Sequence, residues 1–184
     1  GLPGSGGSGS GGGSGSSSGF DPGVNEEVET KVVIEGKSYP HADVHILIDG
    51  KVIGIVEADS KADFYFESTD IASGVNSFGF WSEDKDGLKS TLLTLTFRVL
   101  TGAVTTISGV YISPSIDTDK NSVKQGEDVT IYGQTVPETE VHVHINSENQ
   151  FVEKTNSTEE GEWQLIFNTE PLEEEFHTAK ALFQ

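Results

Sequence analysis

Residues 32–48 read VVIEGKSYPHADVHILI, and residues 129–145 read VTIYGQTVPETEVHVHI. Laid over one another at an offset of 97, they match Val32 to Val129, Ile34 to Ile131, Gly36 to Gly133, Pro40 to Pro137, Val44 to Val141 and Ile48 to Ile145. In each stretch apolar residues alternate with polar ones, the period of a strand with one buried face, and Gly and Pro mark a turn between two such strands. The economical reading is two tandem copies of one all-β unit.

The match continues on either side of small insertions. SKADFYF, ending at Phe66, corresponds to EEGEWQL, ending at Leu165, which sets Ala62 against Gly161 and Phe64 against Trp163. IASGVNSFGFWS from Ile71 then corresponds to LEEEFHTAKALF from Leu172. Parity assigns inward faces to Val32 and Ile34, to Val44, Ile46 and Ile48, to Phe64 and Phe66, to Phe78 and Phe80, and to Leu93, Leu95, Phe97 and Val99. About seven short strands per unit, separated by turns, fit a β-sandwich of immunoglobulin or fibronectin type III kind. The expected organisation is a Gly/Ser-rich tether over residues 1–24, one sandwich over 25–103 and a second over 104–184, joined near Thr101 to Gly109. The first unit closes with STLLTLTFRVL, whereas the second stops at Gln184, where its equivalent final strand should begin. Three expectations compete for that gap: a fragment of a longer protein, favoured; a strand donated by a neighbouring subunit, which would build a fibre; or a domain that closes with fewer strands.

Gly133, Pro137, EVHVHI, EEGEW and FHTAKA in the second copy, with Gly36, Pro40, DVHILI, SKADFYF and FWSEDKDG in the first, carry a family likeness. The pattern resembles the bacterial Ig-like tandem repeats of large secreted and cell-surface proteins, and the stalk and accessory domains that flank enzymes or dockerins in them. The resemblance implies an immunoglobulin-like sandwich, an extracellular or cell-surface location and a structural or adhesive role; such motifs specify fold far better than function. The chain departs from the pattern at Ala62, where a turn Gly is usual, and at Glu174 and Glu175, where a Gly is common.

Composition narrows the function further. A formal charge of −19 leaves no clustered cations for phosphate, which excludes nucleic acid and anionic membrane as partners. The chain has no Cys, so disulfides, thiolate metal sites and thiol catalysis are excluded. It has no Met either, as expected of a processed product, a fragment or an engineered chain, removal of a signal peptide being the natural route. No apolar run approaches the roughly 18 residues of a membrane span. GLPGSGGSGSGGGSGSSSG, residues 1–19, has almost no side chain to bury and reads as a flexible tether.

Candidate chemistry is sparse. His142 and His144, at i and i+2 on one strand, project from one face and are placed to share a zinc or nickel ion, although the first copy has His45 but Leu47 in register. Solvent-facing residues on a sheet are the plainer account of the pair. Asp117, Asp119 and Asn121 alternate as calcium ligands do, yet Ser122 and Asp128 stand where an EF-hand needs Gly and Glu, so an acidic turn is preferred and calcium kept as a junction ligand; SEDKDG, Ser82 to Gly87, is a second such turn. No other cofactor is expected. Leu47 and Trp81 fall on outward parity and form a candidate partner-binding patch, for carbohydrate or protein. His177 is expected at the sandwich rim and Trp163 in the core. No nucleophile elbow, phosphate loop or zinc-protease helix is present, so no enzyme is expected. The sequence therefore points to a non-catalytic extracellular chain, a stalk, spacer or pilus-like fibre subunit whose partners are copies of itself or other cell-surface proteins. The alternative is a carbohydrate- or protein-binding adhesion module.

Overall fold

The computed structural model describes residues 28–184, which are all-β: thirteen strands in four sheets, with no helix among the described residues. The tether expected over residues 1–24 lies outside the described residues. In the first half of the described chain run β1 (Lys31–Lys37), β2 (Asp43–Ile48), β3 (Lys51–Glu57), β4 (Asp63–Ser68), β5 (Gly74–Glu83), β6 (Leu93–Val99) and β7 (Val104–Tyr111). They build one sheet of order β4-β1-β7 and another of order β3-β2-β5-β6. The second half holds β8 (Asp117–Thr118), β9 (Asp128–Gln134), β10 (Glu140–Asn146), β11 (Phe151–Asn156), β12 (Glu162–Asn168) and β13 (Thr178–Phe183), in sheets of order β12-β9-β8 and β11-β10-β13.

Local chemistry explains the pairings. Asp49 and Gly50 both take positive φ (48° and 81°), the backbone of a tight hairpin turn that matches the twist of β2 and β3. Register then carries the alternation across the sheets: Val44, Ile46 and Ile48 lie opposite Ser82, Phe80 and Phe78. The inward residues assigned by parity come from both sheets and meet in one apolar cluster, with Val32, Ile34, Ile46, Phe78 and Phe80 fully buried and Ile48, Phe66, Leu93, Leu95 and Phe97 packed against them. A second cluster, built from Ile131, Val141, Val143, Ile145, Trp163 and Phe167 among others, shares no residue with the first.

The copies keep the same turn geometry despite Ala62. The Ser38 N–H donates to the Ala62 carbonyl and the Thr135 N–H to the Gly161 carbonyl, each at 2.8 Å, and Ala62 adopts φ 70° where Gly161 has φ 77°. Tertiary context thus holds an alanine in the left-handed region, at a cost of roughly 1–2 kcal/mol. Residues 104–111 need a correction: assigned by the repeat to the second unit, they form β7 and pair in parallel with β1, Val32 opposite Thr105 and Ile34 opposite Ile107. The alignment begins at Val32 and Val129 and does not reach β7. No helix of the described residues is long and apolar enough to cross a membrane.

Candidate functional site

The acidic turn SEDKDG has an unforeseen place, at the meeting of the two halves. Gly87, at φ 80°, closes the turn, and the N–H groups of Asp86 and Leu88 both donate to Asp84 Oδ1 at 2.9 Å. Its second oxygen, Oδ2, is left to accept the Ser115 hydroxyl at 2.6 Å. Ser115 in turn accepts the Gln134 N–H through Oγ at 2.9 Å, and its own N–H donates to the Gln134 carbonyl at 3.0 Å. Asp84, Ser115 and Gln134 are 6%, 1% and 3% exposed, so a carboxylate is taken out of water with hydrogen bonds on both oxygens. Beside it the buried Tyr39 hydroxyl donates to the Ser113 carbonyl, and burial pushes the phenol well above its ordinary value. Pro40 abuts Gly161 so closely that a Cβ there would lie 2.8 Å from its Cδ. At the rim Lys85 pairs with Glu162, and Tyr111 meets Phe183 edge to face at 5.9 Å. That exposed ion pair adds little beside the buried bonds of Asp84, Ser115 and Gln134.

Leu47 and Trp81 do lie on one face of the β3-β2-β5-β6 sheet, and the surroundings decide what that face offers. Trp81 is covered by His45, whose ring stacks at 3.6 Å and 11°, and Lys89 Nζ lies 5.1 Å from the indole centroid. An imidazole at that distance covers one face of the indole, and the ammonium lies within cation–π range of the ring. Leu47 packs over Gly79, close to Leu92, while Val52, Ile55 and Leu92 stay 45%, 55% and 58% exposed beside it. The apolar surface of this face is therefore aliphatic.

The candidate metal residues are held by other partners. His142 Nε2–H donates to Glu140 Oε1 at 2.5 Å, and the same carboxylate accepts Lys154 Nζ at 2.9 Å, contacts that hold the Glu140 carboxyl below the usual range, the histidine first. His144 accepts the Gln150 amide at 3.3 Å on Nδ1. In register with the two histidines stand Lys154 on β11 and Lys180 on β13, cations that disfavour a metal ion. Asp117 caps the Thr118 N–H and Asp119 the Thr130 N–H, each at 2.8 Å, so these carboxylates serve the backbone of the turn, while Asn121 is exposed. Among the described residues no cluster of three or more His, Asp or Glu side chains is arranged to hold a metal. His177 lies at the rim, Nε2 against the Glu173 carbonyl at 2.8 Å, and Trp163 is core, 3% exposed.

The second half also has an opening that the first lacks a reason to share. A cleft of about 860 Å³ runs between its two sheets, with Val129, Ile131, Ile145 and Phe167 at its apolar floor and a mostly polar and charged rim that includes Lys120, Lys124 and Glu173 to Glu175. Repeat position and register make Ala179 and Ala181 the equivalents of Phe78 and Phe80. Where β6 covers the edge of β5, β13 is an edge strand among the described residues.

No protein-family model matches the chain, and no curated protein matches it. Among solved structures it is similar to a DUF3823 family protein from Bacteroides ovatus, 13% identical over 84% of this chain and 90% of that one, with a TM-score of 0.29. It is also similar to a Ca²⁺-stabilised adhesin that helps an Antarctic bacterium reach out and bind ice, 13% identical over 76% of this chain, with a TM-score of 0.23; the match spans 40% of that protein. At such scores neither likeness carries an argument about function.

Proposed function

We propose that the chain is a non-catalytic structural module of a bacterial cell surface: two immunoglobulin-like sandwiches in tandem, set end to end as a stiff stalk, spacer or fibre segment. The observation that carries this reading is the buried seam Asp84–Ser115–Gln134, which joins residues of the two halves through a desolvated carboxylate. A binding module needs no such seam between its halves, whereas a spacer that transmits position needs a joint that does not swing. The acidic surface, at a formal charge of −19, keeps such a segment soluble.

Spin labels at the exposed positions Thr94 and Glu153, one on each half, test the joint. A narrow distance distribution is expected in the parent chain and a broad one in Asp84→Ala/Ser115→Ala. A parent distribution as broad as that of a flexible linker would overturn the stalk reading.

A second reading has its own support, the aliphatic surface of Leu47, Val52, Ile55 and Leu92. It is the adhesion alternative with a protein as partner, since one face of the Trp81 indole is covered by His45. Leu47→Lys should abolish capture of such a partner and leave folding unchanged.

A further inference from the structure

The outward face of the β4-β1-β7 sheet carries a trough that neither the seam nor the aliphatic surface uses. Alternation buries Val32 and Ile34 of β1 and sends Glu35 and Lys37 outward. Register sets Tyr65 of β4 opposite Glu35 and Tyr111 of β7 opposite Lys37, so the two phenols flank the central strand one row apart. Two strand spacings and one row place their backbones roughly 12 Å from one another. The space between them is low. The pairing of β1 with β7 shifts between Ile34 and Gly36, and the residues of β7 at that bulge are Ser108 and Gly109, the glycine at φ 72°. Small residues there leave a trough of about 410 Å³, with Tyr65 and Tyr111 on its flanks and Glu35, Lys37 and Asp63 along it.

Both rings are held without being buried. The Tyr65 hydroxyl donates to Glu67 Oε2 at 2.6 Å, an oxygen that also accepts Lys31 Nζ at 2.7 Å. Tyr111 meets Phe183 edge to face at 5.9 Å, so the second half fixes its orientation, and its Cε2 leans over Gly109. Even so the two tyrosines are 51% and 54% exposed, which keeps ordered aromatic surface in water on either side of a polar floor. The charges set the sign of what can enter. Lys37 Nζ donates to Asp63 Oδ1 at 2.6 Å, which leaves the Glu35 carboxylate in excess, and Asp59 accepts the Lys61 and Asp63 N–H groups of its own turn at 2.8 and 2.9 Å. An anionic ligand is repelled from such a trough, and a neutral one is not.

We propose that this trough binds a neutral oligosaccharide, whose C–H faces stack on Tyr65 and Tyr111 while its hydroxyls donate to Glu35 and Asp63 and accept from Lys37. A span of roughly 12 Å between the rings calls for an oligosaccharide rather than a single sugar. An added peptide strand is disfavoured, because β1, at the centre of the trough, is paired on both edges. The trough lies on the other sheet from Leu47 and uses none of Asp84, Ser115 or Gln134, so its failure leaves the stalk and protein-adhesion readings untouched.

The test titrates the full chain, followed by NMR, with cellohexaose, xylohexaose, mannohexaose and maltohexaose as neutral probes. Hexagalacturonate is the anionic control and decaproline the peptide control. Saturable binding of at least one neutral probe is expected, with shifts at Glu35, Tyr65 and Tyr111 and none around Leu47. Tyr65→Ala and Tyr111→Ala should each weaken it about tenfold or more, and Tyr65→Phe, which keeps the ring, should retain most of it. Should Tyr111→Ala loosen the halves by removing the contact to Phe183, Tyr65→Ala decides alone, since Tyr65 has no part in the joint. No binding of any neutral probe, equal binding of hexagalacturonate, or binding indifferent to Tyr65→Ala would overturn the proposal. So would decaproline moving the same resonances in place of the sugars, which would assign the trough to a polyproline segment.

Discussion

The two halves grow from one sequence pattern and bury cores of different size. In the first, β6 lies along β5, Phe78 meets Phe97 edge to face at 6.2 Å, and fifteen buried residues form the core. In the second, eight do, and Ala179 and Ala181 occupy the positions of the two phenylalanines. Identical patterning of β1, β2 and β4 against β9, β10 and β12 therefore does not guarantee equal cores. What fills the space opposite them decides how much apolar surface leaves water.

That contrast is breakable. The largest effect is expected at Phe80, fully buried in the larger core: Phe80→Ala should cost about 3–5 kcal/mol, whereas Ile145→Ala, on the wall of the open cleft, should fall near the 2 kcal/mol end of its class. Denaturant unfolding followed by site-resolved exchange measures both, and equal costs would contradict the difference between the two cores. A middling effect is expected at the paired turns. Gly161→Ala forces a Cβ to 2.4 Å from the Thr135 carbonyl at positive φ and should cost about 2–3 kcal/mol, while Ala62→Gly should relieve strain and stabilise by up to about 1 kcal/mol. Thermal melts giving the same sign for both would show that the turns are not equivalent.

The smallest effect sharpens the account of the joint. The Tyr39 phenol is raised by burial above its ordinary 10.0, so the folded chain resists an ionisation that the unfolded chain accepts. Its contribution is fully present below pH 10.0 and is lost as pH rises from there toward the folded value. Tyr39→Phe should cost about 1 kcal/mol at neutral pH through the lost bond to Ser113 and should flatten this part of the alkaline decline. Melts from pH 8 to 11 that decline in parallel would show that Tyr39 does not titrate with unfolding.

Much of the fold was legible because it rests on period-2 alternation, which is local: every residue given an inward face in β1, β2, β4, β5 and β6 lies in or against the first core. The turn Pro was equally local, but Gly36 and Gly133, read as part of the turn, lie inside β1 and β9, where an added Cβ would meet the Val110 and Ser115 carbonyls. The joint was not legible. Asp84 stood in a turn noted only as acidic, and nothing near it in sequence indicates Ser115, 31 residues on, as the donor to its second oxygen. Trp81 likewise read as an exposed ring, since parity gives the side of a sheet and not what lies on it; His45 covers it from the neighbouring strand.

Sequence by itself determined the strands, their inward faces and the repeat, because each depends on residues a few positions apart. Tertiary structure alone decided that β7 returns to β1 in parallel and that a buried carboxylate joins the halves. These are long-range pairings, and alternation is the same whichever neighbour a strand finds.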